Sequence, residues 1–445
     1  MESALLYVLG ILVVVVGLAL SIGLHEIGHL LPAKLFGVKV GQYMIGFGPT
    51  LWSRKFGETE YGLKAVPMGG YISMAGMYPP AKDGTVSARA SSTGFFQTLV
   101  QDARTASAET VLVGEEQRVF YKLAVWKRIV IMLGGPTMNL LIGIVLYAVL
   151  LMGFGAAQVS TTVGSVSECV VSQTATSTDA ACGADDPKAP GAAAGLRPGD
   201  RFVSLDGTAI TSWTQATDII RDSAGDDLTM VVERDGKNLT LTSVPLLTER
   251  PVVDADGKPV TGSNGKPLTE KVGFLGIGAA TEMVQQPITA VLPAVGDNIG
   301  RVGEMIVNLP ERLVDVVNAA FGSEARDPNG PISVVGVGRL AGEISSIDTI
   351  PVVDKISGLV GLLASLNIAL FVFNLVPLMP LDGGHVAGAL WEGVRRFFAK
   401  LFGRKDPGPV DIAKLVPLTL AVVILLGGMS ALLIYADLVK PISIL

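Results

Sequence analysis

The feature that most constrains this chain is an apolar run that leads directly into two histidines. Leu5 to Leu24 contains no charged residue and is long enough to cross a bilayer as one helix. His25 to His29 follow and read H-E-I-G-H, which holds two of the three histidines of the chain. On a helix, residues four apart lie on the same face, so both imidazoles can reach one metal ion. Ionisable groups are unfavourable at membrane depth, which makes this segment a candidate functional site.

The motif alone does not establish a metal site. An i,i+4 histidine pair also occurs as a hydrogen-bonded pair in protein cores, and H-E-x-x-H arises by chance. The position favours a metal, because an unpaired Glu26 is hard to accommodate beside an apolar span. A third ligand must then come from elsewhere in the chain.

Composition indicates a polytopic membrane protein. Of the 445 residues, 49% are hydrophobic and only 17% are charged, and the mean hydropathy is +0.51. A net charge of −6 gives no indication of nucleic-acid binding. The first apolar run lacks the basic start and the small-residue cleavage site of a signal peptide, so we expect a retained span.

Three further apolar segments predict spans of unequal character. Residues 129–154 are uncharged but include Asn139, for which helix packing is favoured over a direct catalytic role. Residues 356–381 carry Pro377 and Pro380, which break a helix and free backbone carbonyls. Residues 415–436 predict a fourth span.

The run at 356–381, the third apolar span of the chain, supplies the missing ligand. It ends in L-D-G-G-H, where Asp382 is a single carboxylate at the end of an apolar segment. Zinc in catalytic sites takes three protein ligands and one water, and His25, His29 and Asp382 would provide them. Glu26 is then the general base that takes a proton from the water and returns it to the leaving amine.

Two other residues near this ligand leave alternatives open. Asn374 either hydrogen-bonds an unwound substrate backbone or caps the broken span. His385 is either a partner of the ligands or an interfacial residue, and the interfacial role is favoured.

Lysine and arginine bias predicts the orientation of the spans. Residues 37–128 hold 11 Lys/Arg against 7 Asp/Glu, and residues 386–414 hold 6 against 3. Residues 156–350 hold 14 against 25, so this region and both termini are expected outside. Cys169 and Cys182 fall in the outside region, where a disulfide is permitted, and they lack the C-x-x-C spacing of metal ligands.

Two stretches outside the spans predict folded structure. Residues 58–66 and 70–74 read as short strands around Pro67-Met68-Gly69, either an ordinary hairpin or an edge that pairs with an extended substrate. Residues 195–278 alternate turn and strand signals around a helix at 213–222 and predict a small α+β module, with strands at 228–233, 239–242 and 271–278 and a loop insertion at 254–269.

Taken together, the motifs resemble those of the site-2 proteases, which are intramembrane zinc metalloproteases. The matching segments are H-E-I-G-H at 25–29, P-M-G-G-Y at 67–71, W-K-R at 126–128 leading to G-G-P-T-M-N at 134–139, and N-L-V-P-L-M-P-L-D-G at 374–383. The last is similar to the family's N-x-x-P-x-P-x-L-D-G motif. A-G-L-R-P-G-D at 194–200 looks like the start of a PDZ domain.

The resemblance implies a fold and a cell location. It implies a polytopic α-helical membrane protein with four transmembrane helices, a membrane-associated β-hairpin and an extracytoplasmic α+β PDZ-like domain, in the bacterial inner membrane. The expected segments are a first transmembrane helix at 1–36, a cytoplasmic-side loop with the hairpin at 37–127, a second helix at 128–155, the PDZ-like domain at 156–283, an amphipathic region at 284–355, a third helix at 356–385, a cytoplasmic loop at 386–414 and a fourth helix at 415–440.

The resemblance also implies a reaction and partners. Family members cut single-span membrane proteins, and in bacteria these are typically anti-sigma factors already trimmed by another protease. Zn²⁺ is the implied cofactor, membrane lipid the surroundings, and the PDZ-like domain either screens out untrimmed substrates or binds a peptide terminus. Gly69, Gly70, Tyr71 and Asn374 are the expected substrate-binding residues.

Two other classes of function remain as alternatives. A non-proteolytic PDZ adaptor could retain a protease-like bundle, but it would have no use for Glu26. A metal transporter would place several ionisable residues across different spans, whereas these spans are almost free of charge.

Overall fold

The computed structural model describes residues 2–80, 95–170, 182, 186–252, 260, 268–323 and 325–442. The predicted loop insertion at 254–269 lies largely outside these residues. The described chain divides into a helical unit, Met1–Phe154 with Gln286–Leu445, and a sheet unit, Gly155–Gln285.

Helices and strands alternate in blocks along the chain. The helices are α1 Glu2–Leu35, α2 Phe95–Glu109, α3 Val125–Ala148, α4 Pro190–Ala193, α5 Trp213–Asp222, α6 Val291–Val307, α7 Leu309–Phe321, α8 Val334–Ser346, α9 Val352–Asn374, α10 Asp382–Leu401 and α11 Val416–Val439. The strands are β1 Val40–Phe56, β2 Thr59–Met74, β3 Ala156–Val166, β4 Arg201–Leu205, β5 Thr208–Ala209, β6 Leu228–Arg234, β7 Lys237–Ser243, β8 Leu246–Pro251, β9 Thr269–Phe274 and β10 Ile277–Val284.

Within the described residues, four helical segments are long and apolar enough to cross a membrane. They are Ser3–Leu35, Val125–Phe154, Val352–Asn374 and Ile412–Val439. The third ends at Asn374 and α10 starts afresh at Asp382, so the segment predicted over 356–385 is broken, as expected from its prolines. Proline has no backbone N–H to donate, so Pro377 and Pro380 cannot continue the helix between them.

Helices α1 and α3 cross at direct backbone contact. A Cβ added to Gly28 would lie 2.3 Å from the carbonyl oxygen of Gly134. A Cβ added to Gly134 would lie 2.0 Å from the carbonyl oxygen of Gly28. Small residues permit this close approach, and the crossing brings the start of α3 beside the histidine pair of α1.

Strands β1 and β2 form a sheet in which the start of β1 is paired on both sides. Tyr43, for example, faces both Tyr61 and Ile72 of β2. The two short strands predicted around residues 67–69 are one continuous strand, because Gly69, with a φ of +123°, bends the chain without ending it. The sheet is tied to α1 by the Tyr43 hydroxyl, which donates to the carbonyl oxygen of Gly23 at 2.7 Å.

The sheet unit has its own apolar core. Its main sheet has the order β10-β3-β4-β6-β7, with β5 paired to β4, and β8 and β9 form a separate hairpin. The core includes four fully buried side chains of β4 and β6: Phe202, Leu205, Leu228 and Met230. The single strand predicted at 271–278 is two strands, β9 and β10, because Gly276 turns the chain with a φ of +75°. Cys169 and Cys182 form a disulfide.

The helices that follow the sheet unit pack against the spans. Val291 and Val295 of α6 are buried with Tyr147 of α3, and Val316 of α7 is buried with Leu433 of α11. The amphipathic region expected at 284–355 thus places apolar side chains of α6 and α7 in the core of the helical unit.

Candidate metal centre

Three side chains from two helices converge at the end of α1. The Nε2 atoms of His25 and His29 lie 3.1 Å apart. Each lies 3.4 Å from Oδ2 of Asp382 on α10. Two imidazole nitrogens and one carboxylate oxygen therefore face a common point, as the sequence pattern predicted for these three residues.

Helix α10 presents Asp382 because the chain before it makes a tight return. Gly383 and Gly384 lie in the first turn of α10, packed directly on the preceding backbone. A Cβ on Gly383 would stand 2.4 Å from the carbonyl oxygen of Val376, and one on Gly384 would stand 2.7 Å from the backbone nitrogen of Met379. The two glycines thus allow the turn to pack beneath the carboxylate.

The donor set fits a zinc ion. Oδ2 of Asp382 is buried and accepts no hydrogen bond within the described residues, so it is available as a ligand. Two imidazoles and one carboxylate with an open fourth position are the arrangement that catalytic zinc uses. The two histidine ligand atoms lie directly against the backbone of Gly135. A Cβ on Gly135 would lie 2.2 Å from Nε2 of His29 and 2.6 Å from Nε2 of His25.

Helix α3 contacts the outer nitrogen of both histidines. Nδ1 of His29 lies 2.7 Å from the carbonyl oxygen of Ile131, and Nδ1 of His25 lies 3.1 Å from the Asn139 amide. Partners of this kind orient metal-binding imidazoles. The Asn139 contact was missed from the sequence, where the available signals were a polar residue in an uncharged span and its place in the G-G-P-T-M-N segment.

Glu26 lies next to strand β2 of the β1–β2 sheet. Glu26 is only 9% exposed. A Cβ on Gly70 would stand 2.9 Å from Cγ of Glu26, so the backbone of β2 passes directly beside this side chain. A potential base and a strand edge are therefore neighbours.

The remaining predicted residues have local partners. Asn374 donates to the carbonyl oxygen of Leu370 at 3.0 Å, which is the capping contact of the two alternatives considered. Tyr71 stacks on Phe47, with ring centroids 6.4 Å apart. His385 is half-buried, and its Nδ1 is buried without a hydrogen-bond partner within the described residues, so the interfacial role favoured from the sequence stays a prediction.

Comparison with known proteins identifies the family. Residues 13–405 match the model of peptidase family M50. The chain is 33% identical to zinc metalloprotease Rip1 of Mycobacterium tuberculosis, with 99% of this chain and all of the relative covered. It is 31% identical to zinc metalloprotease Rip1 of Mycolicibacterium smegmatis, again with 99% of this chain and all of the relative covered. It is 28% identical to metalloprotease MmpA of Caulobacter vibrioides, with 89% of this chain and 87% of the relative covered. With a family match over most of its length and zinc metalloproteases as full-length relatives, this chain belongs to peptidase family M50, the site-2 proteases, and is a zinc metalloprotease of the membrane.

Proposed function

We propose that this protease hydrolyses peptide bonds of single-span membrane proteins at the cytoplasmic-side end of its first span. The observation that carries the proposal is the convergence of His25, His29 and Asp382 at the end of an uncharged helix, with Glu26 beside the strand edge at Gly70. A metal-ligand set in that position is in reach of peptide bonds that lie within or beside the bilayer.

The side chains divide the chemistry between them. His25, His29 and Asp382 would hold the ion, and Glu26 would accept a proton from the attacking water and later deliver it to the leaving amine. When bound, zinc supplies Lewis-acid chemistry that polarises the scissile carbonyl and acidifies water. Burial of Glu26 and His29 keeps bulk solvent away from the reacting groups.

Substrate presentation is proposed to use the β1–β2 sheet. A peptide bond in a helix is hydrogen-bonded and sterically covered, so a spanning substrate must be extended before it is cut. The segment Gly69 to Tyr71 of β2 lies next to Glu26 and can align an extended chain by strand addition. Asn374 would assist if it exchanges its contact with Leu370 for the substrate backbone.

The sheet unit is proposed to be an extracytoplasmic PDZ-like domain. The acidic excess of residues 156–350 supports an outside location. The Cys169–Cys182 disulfide supports it independently, since disulfides persist in oxidising compartments. In that location the unit would screen substrates or bind a peptide terminus, and anti-sigma factors trimmed by another protease are the proposed substrates.

The orientation has a direct test, because the chain has only two cysteines and both lie in the sheet unit. Intact cells would be treated with a membrane-impermeant reductant and then with an impermeant maleimide. An outside sheet unit is labelled without cell lysis, and the Cys169→Ser/Cys182→Ser variant gives the background. Labelling that requires lysis would place the unit in the cytoplasm and refute the proposed orientation.

The activity is tested by comparing the wild type with Glu26→Gln on a trimmed single-span substrate in nanodiscs. The wild type should cut, a zinc chelator should stop it, and Glu26→Gln should retain zinc without cutting, because glutamine cannot accept the proton. Glu343→Gln is the control, since Glu343 is also buried, in α8, where it pairs with Arg339 outside the metal centre.

Three results would contradict the proposal. Equal cutting by the wild type and Glu26→Gln would exclude Glu26 as the base. Zinc-loaded wild type that cuts neither trimmed nor untrimmed substrates would favour an adaptor, and zinc uptake into sealed proteoliposomes would favour a transporter.

A further inference from the structure

Asn139 contacts a metal ligand although it lies far from the ligand in sequence and belongs to another helix. It is on α3, is 1% exposed, and its amide lies 3.1 Å from Nδ1 of His25. We propose that Asn139 is a positioning residue whose Oδ1 accepts a hydrogen bond from Nδ1–H of His25 and so directs Nε2 of that histidine to the metal. This inference rests on the metal centre of the proposed function.

The proton count of the imidazole requires an acceptor at this position. A neutral imidazole carries one N–H, on either Nδ1 or Nε2. Nε2 of His25 faces Nε2 of His29 and Oδ2 of Asp382, so Nε2 is the metal-facing nitrogen and must keep its lone pair. The proton then resides on Nδ1, which can only donate. A partner that offers an N–H at the same place would favour the tautomer that cannot bind the metal.

The amide of Asn139 meets this requirement after a half-turn about its last side-chain bond. As placed, Nδ2 faces Nδ1 of His25, and Oδ1 is buried without a hydrogen-bond partner among the described residues. Exchanging the two positions puts Oδ1 against Nδ1–H, so the oxygen gains a donor and the amide nitrogen takes the unpaired position. Amide orientation is assigned from the groups that the amide faces, and an Nδ1–H on His25 requires the acceptor orientation.

The second histidine ligand, His29, also has a hydrogen-bond acceptor at its Nδ1. Nδ1 of His29 faces the carbonyl oxygen of Ile131, which can only accept. Ile131 and Asn139 are both on α3, so one helix provides the acceptor for each histidine of α1. A backbone carbonyl serves one ligand and a side chain serves the other, and only the side chain can be changed by mutation.

Asn367 distinguishes positioning from simple packing. It is also fully buried in a span, with a second unsatisfied Oδ1. Its amide donates to Ser21 at 3.0 Å and to the carbonyl oxygen of Leu363 at 2.9 Å, and neither residue is a metal ligand. Replacing Asn367 therefore removes a buried asparagine without touching the ligands.

The test compares two substitutions of similar shape and opposite hydrogen-bonding capacity in the full-length protein. Asn139→Leu removes the hydrogen-bond acceptor. In Asn139→Asp, the ionised carboxylate can accept a hydrogen bond but cannot donate one. We expect Asn139→Leu to bind zinc about 10- to 100-fold more weakly than the wild type, the usual effect of losing such a partner. Asn139→Asp and Asn367→Leu should stay within a few-fold of the wild type. The d–d spectrum of the cobalt-substituted protein should change only in Asn139→Leu.

The outcomes separate this inference from the proposed function. If Asn139→Leu keeps wild-type zinc affinity and cobalt spectrum, or if Asn367→Leu loses as much affinity, Asn139 only packs and the inference is wrong. If Asn139→Asp loses as much as Asn139→Leu while both remain folded, the acceptor role is wrong. If the wild type itself binds no zinc, the metal centre fails first. Asn139→Ala provides the same comparison if the leucine variant does not fold.

Discussion

Gly28 on α1 and Gly134 on α3 touch through their backbones, and a Cβ on either would fall within 2.3 Å of the other's carbonyl oxygen. This contact sets the separation of the helix that carries the histidines from the helix that orients them. The first prediction concerns this crossing.

Gly134→Ala should destabilise the helical unit by about 1 to 3 kcal/mol, because the added methyl group overpacks a backbone contact that has no room to relax. The measurement is the thermal unfolding midpoint of the purified protein. Gly427→Ala on α11 is the matched control, since a Cβ there meets nothing within 4 Å, and alanine favours a helix over glycine. Equal midpoints for the two variants would show that the crossing has more space than the structure allows.

Gly135→Ala should abolish zinc binding. The new methyl group would occupy the space directly beneath both Nε2 atoms, at 2.2 Å from His29 and 2.6 Å from His25 in the present backbone. Metal content per protein molecule, measured after dialysis against trace zinc, gives the answer. Stoichiometric zinc in the folded variant would mean that the imidazoles can leave their present positions and still bind.

The ion pair between Arg128 and Glu392 should hold α10 against α3. Their side chains are only 5% and 0% exposed, and Glu392 also accepts from the backbone N–H of Val410 at 2.9 Å. Glu392→Leu leaves a buried guanidinium without its partner and should destabilise the protein by roughly 3 to 5 kcal/mol. The double variant Arg128→Met/Glu392→Leu should recover much of that loss, because it leaves neither charge buried and unpaired.

A double-mutant cycle of unfolding free energies measures this pair. Strict additivity of the two single changes would show that the residues do not interact. Because Asp382 begins the helix that carries Glu392, zinc affinity should fall in Glu392→Leu and return in the double variant.

The sheet unit should lose stability in acid through Asp200. Burial acts to raise the pKa of this carboxyl, but hydrogen bonds from the Arg234 guanidinium and from the backbone N–H of Arg197 outweigh it and hold the pKa below its ordinary value. A carboxyl with a lowered folded pKa contributes stability above its unfolded pKa of about 4, and that contribution is lost as the pH falls towards the folded pKa.

Pulse proteolysis of the full-length protein between pH 7 and pH 3 would follow this loss through fragments from residues 155–285. The wild type should become sensitive below about pH 4. Asp200→Asn should be more sensitive already at pH 7 and should depend less on pH. Parallel pH profiles for the two proteins would assign the acid sensitivity to other groups.

The ligand set follows from sequence more readily than its surroundings do. Spacing of four on a helix is a local rule, so it places His25 and His29 on one face without knowledge of the fold. Asp382 was identified by its isolation after a proline-broken span and by the family motif. The contact between Asn139 and His25 depends on how α3 rotates against α1, and nothing local to Asn139 encodes that rotation.

Long-range strand pairing limited the prediction in the same way. The residues of β1 and β2 have strand character. The pairing of Tyr43 with both Tyr61 and Ile72, however, requires two different parts of β2 to pair with the two sides of β1. The proline-containing segment was expected to break the third span. Its length, and the new helix that begins at Asp382, depend on the packing of Gly383 and Gly384 against the preceding turn.

The origin of the ligands from two separate helices has a consequence for biosynthesis. His25 and His29 leave the ribosome with the first span, whereas Asp382 is translated only after the third. A partly inserted chain therefore has an incomplete ligand set. The complete metal site forms only after α10 has docked on α3. The protease is therefore inactive until the helices that carry its ligands have been inserted and packed.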